Sequence, residues 1–266
     1  MNPRINCDIC DYCQRGQPQF CKIEGFSTAV GINRNGGWAQ FCRLQAKHVL
    51  PLPHHMPLEQ GLFLEPYSSI IHGWEQLTPI SPDAEVLLCG CGASGLLWMC
   101  FLYYRGFREV VATEIVKGRT KIAQKLEFGY QIVQPEILVS EARNAENEGD
   151  TEWGFDIVID CTGDATAIGQ ACHWLRPGGK LLLFKNCPKN SQISLNPLEI
   201  HKKELRIIAS YGNPFSFTRA FQLVQDMGSQ ILNYEKLGMR IFQLQEYHAA
   251  IECLRSGEIT KAVIEN

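Results

Sequence analysis

Four cysteines stand close together near the start of the sequence, where their thiolates could bind a metal ion. Cys7, Cys10, Cys13 and Cys21 have the spacing C-x2-C-x2-C-x7-C. Four thiolates at short spacing complete a tetrahedral zinc site with no open position, so such a site is structural rather than catalytic. An iron–sulfur cluster and unliganded thiols are the alternatives, but the bacterial iron–sulfur pattern ends in Cys-Pro, whereas Lys22 follows Cys21. The spacing favours zinc.

A glycine-rich turn in the middle of the sequence has the pattern that binds the diphosphate of a dinucleotide. Gly90-Cys91-Gly92-Ala93-Ser94-Gly95 reads G-x-G-x-x-G, follows a predicted strand and opens a predicted helix. In this pattern the first glycine makes the tight turn, the second admits the diphosphate, and the third lets helix and strand pack closely. The phosphates would bind free N–H groups at the helix N-terminus. We therefore predict that the cofactor is bound by Gly90, Gly92, Ala93, Ser94 and Gly95.

An acid and an arginine follow the next predicted strand, where the adenosine of a dinucleotide would lie. The carboxylate of Glu114 could accept hydrogen bonds from the ribose hydroxyls and repel the extra phosphate of NADP, and Arg119 could lie beside the adenosine. Cys161-Thr162-Gly163 ends a further strand and should border the cofactor, because ligands of such sheets lie at the carboxyl ends of the strands. The alternatives are a mere turn at 90–95 with a surface acid, and a simple capped turn at 161–163.

Predicted strands and helices alternate from about residue 85 onward, and they hold the glycine turn, Glu114 and the 161–163 tripeptide. Strands are predicted at 86–89, 110–112, 131–133, 155–159, 181–184 and 205–209, with helices at 96–104, 117–128 and 166–175. This alternation predicts an α/β fold with βαβ units and a doubly wound, mostly parallel Rossmann sheet of six strands. Residues 177–179 are predicted to form a turn, and the acidic stretch 141–152 a solvated loop.

The N-terminal 60 residues lack this alternation. They are rich in Cys, Pro and Gly, and Pro51, Pro53 and Pro57 exclude a long helix, so this part is predicted to be irregular, loop-rich or β. A helix is predicted from about residue 67 to just before Pro79. Two more helices, about 216–227 and 245–255, and a short strand near 240–242 are expected to fold back onto the N-terminal part.

Composition excludes several classes of protein. Lys+Arg is 25 and Asp+Glu is 28, a net charge of −3, which argues against a nucleic-acid binder. The uncharged stretch 86–104 is about as long as a membrane span, but the glycines and serine of the 90–95 turn interrupt it, which favours a buried strand, turn and helix. The sequence opens without a signal peptide, so clustered cysteines indicate a metal rather than disulfides, and we expect a cytoplasmic protein.

A four-cysteine lobe followed by a Rossmann unit with an acid after its second strand resembles the zinc-containing medium-chain alcohol dehydrogenase family. Gly37-Trp38-Ala39-Gln40 resembles the family's strand after the zinc lobe, and the closing segment 257–264 with Lys261 resembles its last strand. Glu65-Pro66 resembles the motif of the polyol (sorbitol/xylitol) and threonine dehydrogenase branch. The resemblance implies a Rossmann domain joined to an incomplete, β-rich GroES-like catalytic domain.

The resemblance also implies the chemistry, which is NAD-dependent and zinc-dependent transfer of hydride from a secondary alcohol of a polyol or amino alcohol. In polyol dehydrogenases the glutamate that matches Glu65 binds the catalytic zinc. The family supplies further ligands from a Cys and a Gly-His-Glu motif upstream of the cysteine lobe, whereas six residues precede Cys7 here and no Gly-His-Glu occurs. We therefore expect an N-terminally truncated chain. The alternative is a catalytically inactive isoform or pseudoenzyme that binds NAD and one structural zinc.

The predicted organisation has three parts. Residues 1–70 would form a partial GroES-like domain with the structural zinc lobe, 71–212 the NAD-binding Rossmann domain, and 213–266 the rest of the catalytic domain. The expected partner is a small alcohol or polyol, with no nucleic acid and no membrane. The resemblance implies a homodimer or homotetramer that pairs through the sixth strand near Ile207-Ile208.

Overall fold

The computed structural model describes residues 1–265 as nine α-helices, eight strands and several 3₁₀ turns. The helices are α1 (Asp11–Gln14), α2 (Leu64–Leu77), α3 (Ala93–Tyr104), α4 (Lys117–Gln124), α5 (Pro135–Glu148), α6 (Ala165–His173), α7 (Pro197–Lys203), α8 (Phe217–Ile231) and α9 (Tyr247–Ser256). The strands are β1 (Val86–Cys89), β2 (Val110–Thr113), β3 (Gln131–Val133), β4 (Phe155–Asp160), β5 (Leu175–Leu183), β6 (Arg206–Ala209), β7 (Met239–Gln243) and β8 (Lys261–Glu265). Among these helices, none combines the length and apolar composition that crossing a bilayer requires.

Six of the strands form one parallel sheet in the order β3-β2-β1-β4-β5-β6, which confirms the predicted doubly wound fold. The central strand β1 pairs with β2 on one side and with β4 on the other. All four residues of β1 are buried, as expected of a parallel strand that is covered on both faces. The carboxyl ends of β1, β2 and β4 therefore lie side by side at one edge of the sheet.

Two hydrophobic clusters cover the two faces of this sheet. The larger contains Leu88 of β1 together with residues of α2, α3 and α8, and the smaller contains Leu87 together with residues of α5 and α6. Helix α3 is buried from Gly95 to Leu102 because it packs against β1 as well as α2 and α8. The side chain of Trp98 fills this layer and meets the ring of Phe184 edge to face at 5.3 Å. The start of α3 is thus fixed on several sides.

The acidic stretch 141–152, which the sequence predicted to be a loop, lies largely in helix α5. Leu138 and Ala145 are seven residues apart and bury one face of that helix. Pro135 begins the helix, and Gly149 ends it in the left-handed conformation at φ 72°. Charge alone predicted a loop here, but Leu138, with Val139 and Ala142 beside it, packs into the smaller hydrophobic cluster.

Two predicted boundaries also differ from the structure. Helix α4 ends at Gln124 rather than near residue 128, because the chain turns into the left-handed region at Glu127 (φ 56°). The predicted turn 177–179 lies inside β5, which begins at Leu175 and changes register against β4 between Phe155 and Ile157. The glycines therefore form an irregularity within a strand, with Gly178 at φ 78°, instead of a separate turn.

The N-terminal segment, residues 1–63, is of the loop-rich kind among the predicted possibilities. In that segment the structure shows α1, several 3₁₀ turns and one isolated bridge between Val30 and Arg34. The stretch that was expected to resemble a strand, 37–40, forms bends, and the Trp38 side chain is exposed. Extended pairing outside the main sheet is limited, among the described residues, to the parallel pair β7 and β8.

The C-terminal elements return to the first half of the chain, as predicted. Helix α8 packs against α2, and Arg219 forms an ion pair with Glu75 across that contact. The ring of Tyr247 at the start of α9 meets Trp38 at 6.4 Å. The predicted boundary at residue 70 falls inside α2, and the three-part division stays a prediction.

Candidate functional site

The glycine turn between β1 and α3 has the geometry that the sequence predicted. Gly90 adopts φ 94°, a region that side chains disfavour, and a β-carbon there would lie 2.9 Å from the Thr162 methyl. A β-carbon on Gly95 would overlap the carbonyl oxygen of Gly90. Both glycines are therefore required by the turn itself.

Gly92, at the tip of the turn, is not required by the backbone of the turn. Its φ is −69°, which any residue can adopt, and a β-carbon there would meet no atom within 4 Å. Gly92 is the N-cap of α3, and no side chain among residues 1–265 caps the N–H groups of the first helical turn. The open space above Gly92, Ala93 and Ser94 is thus a cradle lined by free N–H donors, suited to an anion.

Glu114 follows β2 and is 5 % exposed. One carboxylate oxygen accepts a hydrogen bond from the backbone N–H of Cys91 at 2.8 Å, and the other accepts one from the N–H of Val116 at 2.8 Å. The carboxylate therefore ties the glycine turn to the loop after β2. Each oxygen has a further lone pair with which it can accept a ligand hydroxyl.

Arg119 lies on α4 beside the same groove. Its Nε is buried and donates to no acceptor among residues 1–265. A second chain segment closes against this helix, since a β-carbon on Gly118 would come within 2.6 Å of the Gly257 carbonyl oxygen. Arg119 lines the groove together with Glu114, and its unpaired Nε lies toward Gly257, where a β-carbon would come within 3.9 Å of it.

Asp160 organises the end of β4, and sequence reasoning assigned it no role. It is fully buried; its carboxylate accepts hydrogen bonds from the Thr162 N–H at 3.0 Å, the Thr162 hydroxyl at 2.5 Å and the Gly163 N–H at 3.1 Å. Burial raises the pKa of Asp160, and these hydrogen bonds oppose that rise. The signal available in the sequence was an acid at a strand end, two residues before Thr-Gly. The hydrogen bonds of Asp160 hold Thr162 in its position next to Gly90.

A groove of about 630 Å³ joins these parts at the carboxyl ends of the strands. Of the predicted cofactor residues, it is lined by Gly90, Gly92, Ala93, Ser94, Glu114, Arg119, Cys161 and Thr162. Gly95 and Gly163 do not line it. Each lies against backbone instead, because a β-carbon would overlap a carbonyl oxygen, that of Gly90 or Asn186. These two glycines shape the groove from behind.

The four predicted zinc ligands come together in the N-terminal segment. One sulfur from each of Cys7, Cys10, Cys13 and Cys21 lies within 4.8 Å of the others. The Cys7 sulfur accepts the N–H of Cys10 at 3.3 Å. Backbone N–H groups lower the pKa of Cys10, which favours the thiolate that a metal needs. The donor set fits a closed tetrahedral zinc site.

Glu65 lies in the first turn of α2 and lines a second cavity of about 310 Å³, together with Ala93, Ser94 and Lys261. Ala93 and Ser94 also line the groove, so the two spaces adjoin. Within residues 1–265, the cysteine cluster is the only group of three or more potential metal ligands. Glu65 has no further ligands beside it there, and a catalytic zinc does not fit the donors that the structure describes.

His72 lies seven residues after Glu65 on α2, which places it on the same face of the helix. It does not line the cavity of Glu65. It is 8 % exposed, and burial lowers its pKa, as does nearby Arg219, while Glu75 opposes the shift. The structure therefore places it as a packed histidine against α8.

Comparison with known proteins gives consistent matches along the chain. The family model described as a zinc-binding dehydrogenase matches residues 95–226, and the model of the alcohol dehydrogenase GroES-like domain matches residues 1–54. D-arabinitol dehydrogenase 1 of Uromyces fabae is 27% identical over 268 residues, which cover 98% of this chain and 74% of that protein. L-threonine 3-dehydrogenase of Legionella pneumophila (strain Corby) is 25% identical over 260 residues, covering 98% and 73%.

A solved structure agrees with these matches. A Sinorhizobium meliloti 1021 protein assigned to the zinc-binding dehydrogenases and bound to NADP has a TM-score of 0.77 and 26% identity. The match covers 94% of this chain and 70% of that one. The chain thus spans about three quarters of the length of these proteins.

Proposed function

This chain belongs to the zinc-containing medium-chain alcohol dehydrogenase family, and on that basis we propose that it binds NAD in the groove and acts as an oxidoreductase. The proposed reaction transfers hydride from a secondary alcohol of a polyol or amino alcohol to the nicotinamide. The observation that carries the proposal is the groove itself, in which the cradle of Gly92 and the carboxylate of Glu114 lie at neighbouring strand ends.

In this proposal the diphosphate binds the free N–H groups at the start of α3, and the adenosine ribose lies beside Glu114. Arg119 contacts the adenosine, and Thr162 with Cys161 borders the cofactor at the end of β4. A buried carboxylate repels a 2′-phosphate, so NAD is the proposed cofactor, although the S. meliloti protein holds NADP. Glu114 selects the cofactor while it also holds the turn.

A structural zinc completes the N-terminal segment in this proposal. Cys7, Cys10, Cys13 and Cys21 supply four thiolates and leave no open position, so the metal takes no part in the reaction. Its contribution is to hold together a segment with little regular structure.

The cavity of Glu65 is the proposed site of the alcohol. It adjoins the groove at Ala93 and Ser94, so an alcohol bound there lies next to the dinucleotide. Positioning of the two reactants is the protein's main contribution to hydride transfer. A catalytic zinc would need protein ligands in addition to Glu65, and the described residues do not complete such a set beside it.

That limited donor set favours a second candidate function, a protein that binds NAD and one structural zinc without turnover. The two candidates differ in metal content and in product. Two zinc ions per chain and NADH formation that depends on added polyol support the dehydrogenase. One zinc per chain, with NADH bound but none formed, supports the non-catalytic protein and contradicts the first proposal.

Two matched variants assign the metals in that experiment. Glu65→Gln should lower a count of two zinc ions to one if Glu65 is a ligand, and Cys10→Ser should remove the structural zinc in either case. A Glu65→Gln protein with an unchanged zinc content contradicts the assignment of Glu65.

We further propose a homodimer or homotetramer in which β6 pairs with a second copy. Strand β6 is the outer strand of the sheet, and Ile207 within it is exposed. A cytoplasmic location is proposed because all twelve cysteines are free thiols, which suits a reducing compartment. Sedimentation equilibrium and the variant Ile207→Lys test the pairing.

A further inference from the structure

Arg4 is a cation inside the candidate substrate site that the proposed function does not use. It lines the cavity of Glu65 and also a neighbouring cavity of about 240 Å³ between the N-terminal segment and residues 212–218. The guanidinium lies close to Gly212, since a β-carbon there would come within 3.0 Å of its Nη1. Two distant parts of the chain thus meet at this side chain.

Two aromatic rings hold the guanidinium in place. Its central carbon lies 5.1 Å from the centroid of Phe26 and 5.1 Å from that of Tyr211. The ring of Tyr211 is itself stacked on Phe20 at 6.3 Å. Cation–π contacts of this kind orient an arginine but satisfy none of its N–H donors.

The Arg4 side chain has no hydrogen-bond acceptor and no ion-pair partner in the part of the chain that is described. Its Nη1 is buried and unpaired. Groups of this kind are normally satisfied, because leaving a buried donor unpaired costs free energy. A rigid guanidinium with free donors is the side chain best suited to bind a carboxylate or a phosphate through two parallel hydrogen bonds.

The charge of the cavity points in the same direction. Three cations line it, Arg4, Lys185 and Lys261, whereas Glu65 is its one acid. Lys185 also lines the dinucleotide groove, and Lys261 follows Thr260, which lines the groove as well. Lys185 lies where the cofactor's own phosphates can use it, and the charge of Lys261, which does not line the groove, is balanced by nearby Glu65. Arg4 does not line the groove, so its charge is left for the other reactant.

We propose that the alcohol substrate carries an anionic group, a carboxylate or a phosphate, and that Arg4 binds that group. This inference rests on the proposed function, because it describes the occupant of the cavity beside the dinucleotide. Arg4 thereby sets specificity and fixes the orientation of the alcohol. The cofactor contacts and the structural zinc do not depend on it.

The test compares three ligands that differ in charge. Protein saturated with NADH is titrated calorimetrically with D-glucitol, D-gluconate and D-glucitol 6-phosphate. NADH is already reduced, so no hydride transfer complicates the binding. We expect the wild type to bind one or both anionic ligands about tenfold or more tightly than D-glucitol, the effect of charged, two-fold hydrogen bonding. Whichever anion binds more tightly distinguishes the carboxylate from the phosphate.

Two variants connect the effect to Arg4. Arg4→Met keeps an apolar stem between Phe26 and Tyr211 but loses the charge, so it should bind all three ligands with similar affinity. Arg4→Lys keeps the charge without the planar fork and should show an intermediate preference. Zinc content, circular dichroism and NADH affinity should match the wild type in both, and Arg4→Lys alone suffices if Arg4→Met does not fold.

Three outcomes would overturn the inference. They are equal binding of charged and neutral ligands by the wild type, no binding of either anion, and an Arg4→Met protein that loses affinity for D-glucitol as much as for the anions. Absence of heat with NADH itself is a different result, because it contradicts the proposed function before Arg4 is tested.

Discussion

The sheet region, residues 84–212, and the N-terminal segment, residues 1–63, are built in opposite ways. In the sheet region the apolar side chains are enclosed, and Val86 and Leu88 are 0 % exposed. In the N-terminal segment large apolar side chains lie at the surface, with Phe41 90 % exposed and Ile9 71 % exposed. Both regions contain many apolar residues, but the sheet region encloses the ones named here and the N-terminal segment exposes the ones named here.

The two regions are held together by different interactions. Burial of apolar surface on both faces stabilises the parallel sheet. The N-terminal segment has less such burial, and the sulfur atoms of Cys7, Cys10, Cys13 and Cys21 lie within 4.8 Å of one another in it. A metal can replace a core in a segment of this size. The sheet region carries the dinucleotide groove, and the N-terminal segment brings Arg4 to the cavity that adjoins it.

Removing the metal should give the largest effect and should affect one region alone. Structural zinc contributes on the order of 10 kcal/mol to folding in small domains. Chelation, or Cys10→Ser, should therefore open residues 1–63 to protease while residues 84–212 stay protected, as mass spectrometry of the fragments would show. The control is Cys187→Ser, an exposed cysteine outside the cluster. Equal protection of both regions after zinc removal would contradict the contrast.

Truncating apolar side chains should separate the regions by a smaller amount. Leu88→Ala leaves a cavity in the enclosed layer and should lower the free energy of unfolding by about 2–5 kcal/mol. Phe41→Ala removes a side chain that is already in water and should change it by less than about 0.5 kcal/mol. Urea denaturation measures both. Similar losses for the two variants would show that the N-terminal segment has a core of its own.

Alanine substitutions at two glycines of the turn should separate the effect on stability from the effect on NADH binding. Gly95→Ala forces a methyl group into the Gly90 carbonyl and should lower the free energy of unfolding by about 1–3 kcal/mol as well as NADH affinity. Gly92→Ala meets no protein atom, so it should keep full stability and lose NADH affinity only. Thermal unfolding and NADH titration check the pair. A Gly92→Ala protein that binds NADH with unchanged affinity would contradict the proposal that the diphosphate binds at this turn.

The smallest effect concerns pH, in the helix that connects the two regions. Burial lowers the pKa of His72 in α2 below its ordinary value of 6.5, so the unfolded chain binds the proton more strongly than the folded one. The stability from neutral His72 is present above pH 6.5 and is lost as pH falls through its lower folded pKa. His72→Gln should flatten this acid dependence, measured by urea denaturation at several pH values. Identical pH profiles would place the proton sensitivity elsewhere.

The sheet region could be predicted from sequence because its signals are local. Buried strands such as β1 are continuous apolar runs, and the glycine turn has a fixed spacing within a strand–turn–helix context. Helix α5 was predicted wrongly because the charged residues of 141–152 indicated a solvated loop, whereas Leu138 and Ala145 bury one face of the segment. The four cysteines were grouped correctly because a metal site with short spacing is also a local pattern.

The rest of the candidate site depends on contacts between distant segments. In the sequence Asp160 is an acid at the end of a strand with no evident role. Its role follows from the structure, in which its carboxylate accepts hydrogen bonds from the Thr162 and Gly163 N–H groups. The role proposed for Arg4 depends on its contact with Tyr211, which lies far from it in the sequence. No periodicity or spacing encodes such a meeting, because it follows from how the N-terminal segment docks on the sheet region.

The groove between Gly92 and Glu114 is the central feature of the proposed function, and NADH binding to the zinc-loaded protein tests it most directly. Calorimetry should show saturable binding of one NADH per chain, and binding of NADPH weaker by about tenfold because its 2′-phosphate meets a buried carboxylate. No heat with NADH, or equal affinity for NADPH, would contradict the account.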